Sequence, residues 1–143
     1  MREDTIHLLG DCTAGIELAV SAMNGLIPDI KDRALRQRLR EGIQEHKQLQ
    51  KETVSMLRQY GAAEKTASAM AKGLSWLRTN TRMAISGDDT TAAYLVAGQC
   101  DDGIKNLCRS QNRYCMASRS ALDLTQEVIR CQEHLSAELR PFF

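Results

Sequence analysis

Hydrophobic side chains recur along this chain in steps of three and four, and no clean alternation of β-branched residues in steps of two occurs anywhere. Between about Asp4 and Met23, the positions Ile6, Leu9, Thr13, Ile16, Val20 and Met23 draw one apolar stripe along a helix. Asn24-Gly25 and Pro28 predict a break. Asp29 then stands as an N-cap, with Asp32 three residues on as an imperfect capping box, and a second helix is predicted over Ile30 to Tyr60. Its apolar face is Leu35, Leu39, Gly42, His46, Leu49, Thr53, Met56 and Tyr60, and Gly61 is placed to end it.

The segment from Glu64 to Ser86 carries Ala67, Met70, Leu74, Leu77, Thr81 and Ala84 at helical spacing. Gly87 stops it and Asp88-Asp89 starts the next helix. That helix, Thr90 to about Gln111, shows Ala93, Val96, Cys100, Ile104, Leu107 and Gln111 on one side. A last helix, about Ser118 to Leu139, shows Leu124, Val128, Cys131, Leu135 and Leu139. Neither Gly nor Pro marks the break between these two. Pro141 closes the last helix and leaves Phe142 and Phe143, which are expected to dock on the bundle end or a second subunit.

The chain also resembles itself. Shifted by 88 residues, Gly10, Cys12, Gly15 and Ile16 fall on Gly98, Cys100, Gly103 and Ile104. At the same offset Asn24 falls on Asn112, and Gln44-Glu45-His46 on Gln132-Glu133-His134. A duplicated helical hairpin follows, with 24–29 mapping onto a missing turn at 112–117. The segment 64–86 lies outside the repeat. As a helix it would be about 34 Å long, enough to carry the chain back along a bundle.

Two hairpins, a duplication and one long crossover resemble the ferritin-like four-helix-bundle superfamily. More narrowly, the chain is similar to a group of small bacterial ferritin-like proteins. The resemblance rests on Gly10-Asp11-Cys12…Gly15, Pro28-Asp29, Gly73-Leu74-Ser75-Trp76-Leu77, Ser86-Gly87-Asp88-Asp89 and Gly98…Asp101-Asp102. It implies an all-α, ferritin-like four-helix bundle with an extra helix in the crossover, forming one domain over 1–143. That group's biochemistry is poorly defined, so the resemblance implies a fold more than an activity.

Di-iron members of the superfamily place one Glu on each of two helices and Glu-x-x-His on each of the others. Here Glu17 and Asp101 are the carboxylates available on the first and third long helices, and His46 and His134 the histidines on the second and fourth. Three residues before His46 stands Ile43, and three before His134 stands Cys131, so both Glu-x-x-His motifs are missing. Glu45 and Glu133 adjoin the histidines, but neighbours diverge by about 100° around a helix. An atypical site from Glu17, Glu45, His46, Asp101, Glu133 and His134 would suit Fe, Zn or Mn. Otherwise His46 and His134 are semi-buried histidines bonded to polar neighbours.

The remaining composition narrows the functional classes. The 143 residues are 43% hydrophobic with a net charge of +1, too apolar and too neutral for a disordered chain. Aromatics at 4% and two prolines disfavour a β-sandwich. No signal peptide or membrane span is expected, so the protein is expected to be cytoplasmic. Five cysteines without a CxxC, namely Cys12, Cys100, Cys108, Cys115 and Cys131, are expected as small core residues in a reducing compartment. No phosphate loop or nucleophile motif is present. The basic run Lys31, Arg33, Arg36, Arg38 and Arg40 is expected to be a solvated helix face, and nucleic acid is disfavoured. The expectation is therefore a bundle that is not an enzyme, holds no cofactor, and acts by homo-oligomerisation or through a protein partner. Its alternative is a metal-binding protein with a rebuilt site.

Overall fold

The computed structural model describes residues 1–62 and 88–143. They form four long helices: α1 (Arg2–Leu26), α2 (Arg33–Gln59), α3 (Asp89–Arg113) and α4 (Arg119–Leu139). Short 3-10 turns follow α1 at Ile27–Asp29 and α4 at Arg140–Phe142. No strand occurs among the described residues. The predicted helix over 64–86, with Met70, Leu74, Trp76 and Leu77, lies outside them.

The helices start where short side chains can satisfy free backbone N–H groups. Asp32 accepts from Leu35 N at 3.0 Å, Asp88 from Thr91 N at 2.9 Å, and Ser118 from Ala121 N at 3.2 Å. The cap of α2 is thus Asp32 rather than Asp29, and α2 begins three residues later than its periodicity suggests. Ile30 is extended, with φ −83° and ψ 128°, because Pro28 has already bent the chain into a 3-10 turn. Asn24-Gly25 does not break α1, which runs on to Leu26.

α1 and α2 pack as one antiparallel hairpin, and α3 and α4 as another. At one end Met116 N donates to Asp4 and Ser118 N to Thr5, so the α3–α4 turn sits on the start of α1. At the other end Lys31 N and Asp32 N donate to Asp89, so the α1–α2 turn sits on the start of α3. Contacts of α1 with α3 and of α2 with α4 close the sides. α2 and α3 therefore stand at opposite corners and run in the same direction. The chain leaves α2 at one end of the bundle and enters α3 at the other.

The apolar stripes meet inside. The main core gathers Ile16, Met23, Leu35, Leu39, Leu107, Leu135 and Leu139. A second cluster near the start of α1 holds Leu8, Leu9, Leu57, Ala121 and Leu124. α1 is apolar enough over 18 residues to satisfy the length and hydropathy of a membrane span, contrary to the sequence expectation. Half of that window is buried by the rest of the bundle, as befits a core helix. Of the two terminal aromatics, Phe142 packs on the main core, while Phe143 meets the exposed Tyr94 edge-on at 5.4 Å.

Burial tests the internal repeat position by position. Thr5, Leu8, Leu9 and Cys12 correspond at the 88-residue shift to Ala93, Val96, Ala97 and Cys100, and all eight are buried. The second helices obey a different shift, 86, as from Leu35 to Ala121. It carries Arg38, Leu39, Gly42, Ile43 and His46 onto Leu124, Thr125, Val128, Ile129 and Gln132, again all buried. The 88-residue match does not hold along the whole helix, since buried Thr13 and Val20 fall on exposed Asp101 and Cys108. α1 and α3 span 25 residues each at an offset of 87, and the last step to 86 falls in the turns, six residues between α1 and α2 and five between α3 and α4. The Gln-Glu-His block at 132–134 is therefore not the structural equivalent of that at 44–46.

Gly61 closes α2 with φ +66° and, among the described residues, no neighbour within 4 Å of an added Cβ. A side chain there meets backbone strain alone. Gly61→Ala is expected to lower unfolding stability by about 1 kcal/mol, read as a reduced urea midpoint at unchanged slope.

Candidate functional site

The interior carries a polar layer where the two hairpins face each other. α2 contributes His46, which is completely buried. Its Nδ1 lies 2.7 Å from Gly42 O. A carbonyl can only accept, so Nδ1 carries the proton and Nε2 holds the lone pair of the neutral ring. Nε2 is buried and has no partner among the described residues. Cys131 Sγ of α4 stands 3.7 Å from Nδ1. Gln132, the structural counterpart of His46, is also completely buried, and neither end of its amide has a partner among the described residues. Gly103 of α3 makes room for it, since a Cβ there would come within 2.6 Å of Gln132 Oε1.

Burial sets the chemistry of this layer. Desolvation lowers the pKa of His46 despite the Gly42 hydrogen bond, so the ring stays neutral. Desolvation likewise pushes the thiols up, to about 11 for Cys131 and about 12 for Cys100 and Cys12. A thiol held this high is no nucleophile at neutral pH. The neighbouring Cys131 and His46 are thus not a catalytic dyad in this state.

The six candidate ligands do not converge. Glu17 accepts from Gln50 across the α1–α2 contact at 3.0 Å, and Asp101 accepts from Ser136 across the α3–α4 contact at 2.8 Å. Glu45 pairs with Arg38 at 3.1 Å. His134 is exposed and pairs with Glu138 one turn on, and Glu138 pairs in turn with Arg38. Glu133 points to solvent. His46 alone of the six is in the core. Among the described residues no three His, Cys, Asp or Glu side chains are grouped to hold a metal ion. Missing Glu-x-x-His motifs and carboxylates already tied to Gln50, Ser136 and Arg38 do not fit a di-iron centre.

Two further sequence expectations change. Arg38, read as part of a solvated basic run, is 9% exposed; it joins α2 to α4 through Glu138 and pairs with Glu45 along α2 itself. Lys31, Arg33 and Arg40 are exposed as expected. Cys12 and Cys100 are core residues, whereas Cys108 and Cys115 are exposed and Cys131 is intermediate. Cys115 falls in the turn after α3 ends, and Cys108 lies about 80° around the helix from Cys100, off the buried face. Sequence reasoning missed Gln132, for which the signal was present: it follows Cys131 on the side of α4 shared by Leu124, Val128 and Leu135.

A groove of about 670 Å³ runs between α1 and α3. Gly15 and Gly103 form its floor, Asp11 and Ser110 bond across it at 2.7 Å, and Lys105, Arg109 and Arg113 stand along its rim. Comparison of the chain with protein-family models, with curated proteins and with solved structures finds no match.

Two measurements follow. His46 binds its proton less readily folded than unfolded, so the unfolded state holds more protons below the ordinary value of 6.5. Its contribution is full above pH 6.5 and lost as pH falls toward the lowered folded value. The pH dependence of urea unfolding should therefore steepen below 6.5 in wild type and flatten there in His46→Gln. In thiol titration with an aromatic disulfide, Cys108 and Cys115 should react first and Cys131 slowly. Cys12 and Cys100 should react at the rate of unfolding.

Proposed function

We propose that the chain is a ferritin-like helical bundle that is not an enzyme and acts by associating with itself or with a protein partner. The observation that carries this reading is the use made of the polar residues a ferritin-like metal centre would recruit. Glu17 ties α1 to α2, Asp101 ties α3 to α4, Glu138 ties α4 to α2 through Arg38, and Glu45 is held by the same Arg38 within α2. Such side chains hold helices in register rather than leaving ligand atoms directed at one point. The parallel course of α2 and α3 supports the ferritin-like assignment, because a chain so arranged needs one long connection along the bundle. A cytoplasmic bacterial setting goes with that resemblance. Exposed Tyr94, Leu95, Met116 and Phe143 supply apolar surface for a protein partner.

A second reading has its own observation. His46 Nε2 is a buried lone pair without a partner among the described residues, and the thiol of Cys131 stands 3.7 Å from the other ring nitrogen, Nδ1. An imidazole beside a thiol suits Zn(II) better than Mn(II). Binding would have to draw a further ligand into the core and remove the thiol proton.

Elemental analysis of protein purified without chelator, followed by anaerobic Fe(II) and Zn(II) titration, separates the two. The association reading expects substoichiometric metal and an unchanged melting temperature in wild type, His46→Ala and His134→Ala alike. One equivalent bound by wild type and lost in His46→Ala would replace it with the metal reading.

A further inference from the structure

The outer face of α3 has a composition that its packing within the described residues does not explain. Near the start of the helix it exposes Tyr94 at 63% and Leu95 at 39%, with Phe143 against the Tyr94 ring. One turn on stands Gly98. This glycine is in mid-helix, has no positive φ, and would meet nothing within 4 Å if it carried a Cβ. A glycine in a helix interior is less favourable than alanine, and no neighbour within the described residues requires it. Its absent side chain would instead let something approach the helix closely from outside.

Charge says what that something is. Beyond Gly98 the exposed face turns acidic at Asp101 and Asp102 and then basic at Lys105 and Arg109. Asp102, Lys105 and Arg109 form no ion pair within the described residues. A two-fold axis that sets α3 antiparallel to its own copy near Asp102 and Lys105 brings the acids of each chain opposite the bases of the other. The same operation carries Tyr94 of one chain toward the Asn112–Arg113 end of its copy, where a guanidinium can meet an aromatic ring. A self-complementary patch is what a two-fold interface between identical chains requires.

We propose that this face of α3 is the contact between two copies of the chain, crossing antiparallel over Gly98, Asp102 and Lys105. The proposal rests on reading the protein as an association module and names its partner. The stripe from Thr91 to Asn112 is about 32 Å long. A single-helix stripe is small beside a standard interface of about 800 Å² per partner, which suits a reversible dimer of micromolar affinity.

Sedimentation velocity and light scattering on the full chain, over roughly 1 to 200 µM, test it. Wild type should pass from monomer to dimer, and high salt should favour the monomer. Gly98→Gln should weaken dimerisation about tenfold or more while melting no lower than wild type, because the monomer has room for the side chain. Lys105→Glu/Arg109→Glu and Asp102→Lys should each be folded monomers when alone. Mixed in equal amounts, they should form a heterodimer, a recovery that misfolded variants would not give. A wild-type monomer throughout the range would overturn the proposal and leave association only with a different protein. A wild-type dimer unmoved by all three variants would overturn it too, but would keep self-association and place it on another face.

Discussion

The bundle depends on a reciprocal clamp. Each hairpin lends the first turn of its leading helix to the other hairpin's connecting turn. Asp4 and Thr5 of α1 take the free N–H groups of Met116 and Ser118, and Asp89 of α3 takes those of Lys31 and Asp32. A turn between antiparallel helices leaves such donors to water unless a side chain takes them. Three of these four bonds lie at the surface, so the clamp fixes the register of the hairpins more than it adds stability. Acidic groups in the first turn also sit well with the positive end of each helix. The two ends of the molecule are thereby held, and the leucine-rich interior is free to choose its packing between them.

Between the clamps the interior is not wholly apolar. The layer of His46, Cys131 and Gln132 interrupts the leucines where the hairpins meet, and Arg38 spans α2 and α4 at its edge. Buried polar groups are costly unless satisfied, and three ring and amide atoms here lack partners. Burial keeps every member of the layer uncharged, through the lowered His46 and the raised thiols. A neutral layer of this kind opposes sliding of one hairpin along the other, because a displaced Gln132 amide would lose the room that Gly103 leaves for it.

Much of this was legible in the residues. Three-and-four spacing marked four helices and most of their buried faces, since Leu35, Leu39, Leu124 and Leu135 can only be inside. The inner and outer histidines were less legible. Gln44-Glu45-His46 and Gln132-Glu133-His134 match letter for letter, yet one histidine is completely buried and the other 63% exposed at its side chain. The two blocks stand 88 residues apart, whereas the shift that superposes the buried faces of α2 and α4 is 86. Two residues of slip rotate a helix by about 200°, enough to send an identical side chain to the opposite side. Arg38 was misread for a related reason: a local run of positive charge hid that one arginine stood on the leucine side of α2, facing Glu138 from a distant part of the chain. Ion pairs across helices leave no mark in local spacing.

The reciprocal clamp also has a consequence for how the molecule assembles. Each hairpin is made of contacts between neighbours in sequence, whereas the clamp joins residues 57 to 113 positions apart. Chain entropy favours closing the short loops first. The hairpins are therefore the early units, and their union is a docking step. Four main-chain amides, those of Lys31, Asp32, Met116 and Ser118, have no partner until that step and acquire one in it. Their exchange with solvent deuterium reports the opening of hairpin from hairpin, separately from the fraying of any helix.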